Sequence, residues 1–178
     1  MNSSGIIMAL LGKLNTLRGI ITDNNDNGNY SRYVYFPICV CMDVIGDTLL
    51  VLKDYFSLKC CGGGSDYVLL YSLAQCLRLQ IQAVEKLYSI TRVDDNSVDY
   101  FIKSRAFADE ILDIIINTSK KCCFISSPSM SDFGCDISIS LLGLKIEEIS
   151  KHVDYKEVID SHLDDLNKCL DRIIFACS

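Results

Sequence analysis

The stretch from Ser138 to Ser150, SISLLGLKIEEIS, sets Ile139, Leu142, Ile146 and Ile149 at steps of three, four and three residues. A second apolar set, Ile137, Leu141 and Leu144, falls on a neighbouring helical face. A helix that is apolar on two sides must be walled in by other helices. Gly143, in its middle, costs about 1 kcal/mol against alanine in a helix interior, and its use there is to let another element approach closely. The expectation is a buried central helix over residues 136–152.

The flanking segments repeat the same periodicity on one side only. Ser4 caps a helix over 5–21 with Ile7, Leu10, Leu11, Leu14 and Leu17 inward, and the polar octet Thr22–Asn29 breaks it as a loop. Pro37 suits the first turn of a second helix reaching Leu58, and the glycine run after Cys60 ends it. Asp66 caps a third, in which Leu70, Leu73, Leu77, Ile81, Val84 and Tyr88 recur at steps of three and four, with a bend near Gln80. Ser97 caps a fourth, to Thr118, lined by Phe101, Ala108, Leu112 and Ile115; Lys120–Asp132 reads as a serine- and thiol-rich loop. After Asp154 the last helix carries Ile159, Leu163, Leu166, Leu170, Ile173 and Cys177. Little period-two alternation stands out, so the chain reads as an all-α bundle, with residues 1–32 as an N-terminal extension and 33–178 as the helical domain.

Composition narrows the classes of function. At 178 residues the chain has the size of one domain, and its 17 basic against 23 acidic residues, without a basic cluster, argue against nucleic acid or an anionic membrane as partner. No run approaches the roughly eighteen consecutive apolar residues of a membrane span, and the N-terminus makes a poor signal peptide. The ten cysteines are therefore expected as free thiols in a reducing compartment, at spacings that suit no common zinc site.

Chemistry is sparse. His152 and His162 supply the only imidazoles; the first sits where a helix C-terminal dipole would favour its charge, the second on a helix shoulder. The adjacent pairs Glu147-Glu148 and Asp164-Asp165 diverge by about 100 degrees on a helix and do not share a site. Gly62-Gly63-Gly64 follows a helix and lacks the Lys-Ser/Thr of a phosphate loop. No catalytic, cofactor or metal residues emerge, which leaves an interaction protein.

The segment SLLGLKIEEISKHVDYKEVIDS, Ser140–Ser161, resembles the signature region of the poxvirus Bcl-2-like immune modulators: Leu142-Gly143-Leu144 stands at the central-helix motif and Tyr155-Lys156 at the aromatic-lysine start of the next helix. LKDYFSLKC, Leu52–Cys60, and YVLLYSLAQCL, Tyr67–Leu77, are similar to the family's first and second helices. The resemblance implies a Bcl-2-like bundle around a central buried helix, in a protein of the host cytoplasm. Its partners would be host signalling adaptors or kinases, bound so as to blunt activation of NF-κB or interferon regulatory factors.

A second branch of that family holds BH3 helices in a groove and blocks apoptosis. Tyr67, Leu70, Tyr71, Leu141 and Leu144 are the residues that would line such a groove. A homodimer face, as in several family members, would use Val51, Tyr55, Tyr155 and Val158. A third reading is a lipid-binding helical protein, from a faint likeness of Asp43–Lys53 to the head-group helix of glycolipid transfer proteins.

Overall fold

The computed structural model describes residues 3–55, 64–93, 100–121, 123–130, 135–142 and 146–178, of which 3–4, 64–65, 153 and those falling within 114–151 are described as backbone. Five helices carry most of it: α1 (Ser3–Asp26), α2 (Arg32–Tyr55), α3 (Gly64–Thr91), α4 (Ile102–Lys121) and α5 (Tyr155–Cys177). Between α4 and α5 run three strands, β1 (Cys123–Met130), β2 (Cys135–Leu142) and β3 (Ile146–Val153).

The helices close a ring, α1 on α2, α2 on α3, α3 on α4, α4 on α5 and α5 back on α1. Each contributes one stripe of apolar side chains, as a 3.6-residue repeat requires. Ile7, Leu10, Leu14, Leu17 and Ile21 of α1 are buried in the same core as Ile45, Leu49, Leu77, Val84, Leu163 and Leu170. The boundary drawn at residue 32 therefore does not coincide with any break in the core. Nor does Thr22 end the first helix: α1 runs on through TDNND to Asp26. Its end is a Schellman closure, in which the Gly28 N–H donates to Asn25 O and the Asn29 N–H to Asn24 O. Gly28 takes φ +76°, which glycine reaches without strain.

α2 starts one turn before the expected Pro37, with the Ser31 carbonyl accepting the N–H of Tyr35 at 2.9 Å. Pro37 therefore lies inside the helix and has no N–H to give the Tyr33 carbonyl. α5 is the most legible element. Asp154 caps it, its Oδ1 accepting the Glu157 N–H at 3.0 Å, and Tyr155, Ile159, Leu163, Leu166, Leu170 and Ile173 are all buried.

Among the described residues, strands stand where the central helix is expected. Residues 135–142 and 146–153 form antiparallel β2 and β3, with Ile139 opposite Ile149 and Leu142 opposite Ile146, and β1 pairs with β2 on its other side. The order is β1-β2-β3, a meander. The reason is in the residues: Asp136-Ile137-Ser138-Ile139-Ser140-Leu141 alternates polar and apolar at period two, and isoleucine and serine are poor helix formers beside leucine or alanine. The steps of three and four among Ile139, Leu142, Ile146 and Ile149 were a coincidence of two strands joined by a short link. Lys120–Asp132, expected as a loop, supplies β1, whose pairing is irregular between Ile125 and Ser127. Pro128 is tolerated there because β1 is an edge strand. Helix dominates the fold as expected, but the chain is not purely α.

Candidate functional site

Two features on α2 differ in kind from the rest of the packing. One is a buried polar network. Thr48 Oγ1 donates to Val44 O at 2.7 Å, and Gln80 Nε2 donates to Thr48 Oγ1 at 2.8 Å and Ile45 O at 3.2 Å. Those two acceptors fix which end of the Gln80 amide faces α2 and turn its Oε1 toward His162 Nε2, 2.6 Å away. Nε2 therefore carries the proton and donates. On the other side of the ring Nδ1 accepts from Ser104 Oγ at 2.9 Å. Helices α2, α3, α4 and α5 are joined through one neutral imidazole.

His162 is fully buried, not on a shoulder, and burial pushes its pKa down to about 3. Next to it, Phe101 adopts φ +63°, which costs a non-glycine residue on the order of 1 kcal/mol or more. The conformation is held by its ring, packed 4.8 Å from the imidazole, and by its N–H, which donates to Asp165 Oδ2 at 2.9 Å. Ser104 and His162 have the atoms of a nucleophile and its base, yet both are sealed from solvent, and an amide instead of a carboxylate stands behind the ring. The arrangement suits structure. Cys76 and Cys169, raised by burial to about 12 and about 11, are likewise poor thiolates.

The other feature is open. The N-terminal turns of α2, facing the C-terminal part of α3, border a cleft of about 690 Å³. Tyr33 is 91% exposed, Phe36 62% and Val40 50%, and Pro37 and Cys41 complete the apolar wall. Arg32 and Lys86 stand at its rim. A monomer rarely leaves two aromatic rings and a valine together in water without a use for them.

The residues expected to bind are distributed otherwise. Leu70 is buried, and Tyr67 and Tyr71 are half-buried with ring centroids 6.2 Å apart. Leu141 is in β2, its side chain outside the described residues, as are Gly143 and Leu144 entirely. Of the dimer face, Val51 is exposed and Val158 half-buried, whereas Tyr55 and Tyr155 are buried edge to face against each other at 5.7 Å. Their rings meet where the end of α2 comes near the start of α5. His152 is on β3 opposite Asp136, not at a helix end. Asp165 accepts the Phe101 N–H, and both it and Asp164 pair with Lys168, at 3.6 and 2.6 Å.

Among the described residues no three His, Cys, Asp or Glu side chains converge as metal ligands. α1 and α2 are each long and apolar enough to cross a membrane by length and composition, and each also lays a stripe into the core. Comparison with protein-family models, with curated proteins and with solved structures found no match.

The open cleft was missed because Tyr33, Phe36 and Val40 precede or straddle the proline at which the helix was expected to start. Steps of three and four across Pro37 were the available signal. For His162 the signal was its place one residue before Leu163, on the buried line through Ile159 and Leu166.

Proposed function

We propose that this chain works by binding other proteins and performs no catalysis of its own. The observation that supports the reading is the exposed cluster Tyr33, Phe36 and Val40 on α2, since aromatic side chains grouped at a surface are the usual anchors of protein interfaces. The resemblance of Leu52–Leu77 and Ser140–Ser161 to the poxvirus immune modulators adds the class of partner: a host signalling adaptor or kinase of the cytoplasm, whose occupancy lowers NF-κB or interferon output. The Bcl-2-like arrangement itself has less support, because strands stand where its central helix would run. Capture of BH3 helices has less again, with Leu70 buried.

Expression in mammalian cells with NF-κB and interferon-promoter reporters tests this. Output falls in proportion to the amount of protein, as competition by binding requires, and the Tyr33→Ser/Phe36→Ser variant loses the effect at equal abundance. Unchanged reporters with the wild-type chain, or full inhibition by the variant, defeat the proposal. BH3 peptides bind no tighter than about millimolar in calorimetry, near −4 kcal/mol; submicromolar binding would restore the apoptotic reading.

A further inference from the structure

Resting on that reading, we infer that the cleft on α2 takes an acidic amphipathic segment of the partner, with apolar anchors on its floor and carboxylates at its rim. The floor is apolar: Tyr33, Phe36 and Val40 lie about one turn apart on one face of α2, the spacing that receives side chains of a helix or strand laid across it. The rim is cationic at both edges, with Arg32 on α2 and Lys86 on α3.

That local sign runs against a chain whose formal net charge is −6. It is also uncompensated. Neither Arg32 nor Lys86 has an ion pair among the described residues, although Glu85, beside Lys86, and Asp43, further along α2, are close in sequence. Those carboxylates are engaged elsewhere, Glu85 with Arg105 and Asp43 with Arg18. Two exposed cations bracketing an apolar floor attract carboxylates and repel basic segments, so the arrangement selects by charge what the floor holds by burial.

The probes are three synthetic amphipathic peptides of about sixteen residues, long enough for four turns, alike in their leucines and differing only in flanking Glu, Gln or Lys. Fluorescence anisotropy with the full chain is expected to rank them Glu, Gln, Lys. The Glu peptide should bind at least about tenfold tighter than the Lys peptide near 50 mM salt, with the gap narrowing near 0.5 M. Arg32→Glu/Lys86→Glu inverts the order. Both side chains are exposed, and an unchanged melting temperature checks the fold. Phe36→Ser abolishes binding of every peptide, whereas Phe175→Ser, at an exposed ring on α5, leaves it intact.

Equal binding of the three peptides, or no binding, overturns the inference. So does preferential binding to phosphatidylcholine–phosphatidylserine vesicles, or self-association that Phe36→Ser abolishes, for these give the face to a membrane or to a second copy. The two proposals fail separately. Reporter inhibition that needs Tyr33 and Phe36, without preference for the Glu peptide, overturns the acidic partner alone; Glu-peptide selectivity without reporter inhibition overturns the signalling role alone.

Discussion

The two halves of α2 use their side chains in opposite ways. Toward its C-terminus, Ile45 and Thr48 meet Gln80, and through it His162, in a core where every polar atom of the chain of contacts has a partner. Toward its N-terminus, Tyr33, Phe36 and Val40 face water across a cleft with unpaired cations at the rim. A buried amide or imidazole is tolerated in a single geometry, so the first half fixes how four helices meet. An exposed ring constrains nothing in the free protein, and so the second half remains open to what lies outside. One helix is both anchor and platform.

The sharpest way to break this contrast is to remove the imidazole. His162→Ala leaves Gln80 Oε1 without its partner, leaves Ser104 Oγ with only the Phe101 carbonyl at 3.2 Å, and opens a cavity, for an expected loss of about 3–5 kcal/mol in denaturant unfolding. A loss below about 1 kcal/mol would mean that the network does not organise the core.

Acid should do part of the same work. The folded chain keeps His162 neutral down to about pH 3, whereas the unfolded chain protonates it near 6.5, so the unfolded state binds the extra proton between those values. Stability from this group is complete above pH 6.5 and falls as pH drops, by about 2 kcal/mol from pH 7 to pH 5. In His162→Gln that part of the slope disappears. A wild-type slope equal to the variant's would place the imidazole in water.

Near Phe101 the effect is smaller. Asp165→Ala removes the acceptor of the Phe101 N–H and is expected to cost about 1–3 kcal/mol, read as a lower midpoint at unchanged m-value.

At the open end the prediction is a null on stability. Phe36→Ser, which buries nothing more and frees nothing, should stay within about 0.5 kcal/mol of wild type while eliminating binding. A large loss of stability there would show that the rings already have a partner within the fold, and the contrast between the halves of α2 would vanish.

The helical body was readable wherever apolar residues recur over many turns with a cap, as from Asp154 through Ile173. Side-chain position along a helix is then overdetermined. The meander was misread because 138–150 is short enough for one set of isoleucines to satisfy both periods. Tertiary pairing chose the strand: Ile139 of β2 stands opposite Ile125 of β1 and Ile149 of β3, a register with no signature in a single segment. His162 was misplaced for another reason. Hydropathy assigns histidine to the surface, and the three groups that make it acceptable inside lie 58 to 82 residues away or, like Thr48, one bond further on.

The closure of α1 against α5 has a kinetic meaning. Asn24 Nδ2 donates to the Cys177 carbonyl at 3.0 Å, 153 positions along the chain, and Lys13 meets Asp171 across 158. During synthesis α1 is made first and can settle only on α2, with part of its buried stripe still wet. The ring cannot shut until α5 has left the ribosome, and such distant pairing slows folding. Until then the uncovered part of that stripe is a surface that a chaperone can recognise.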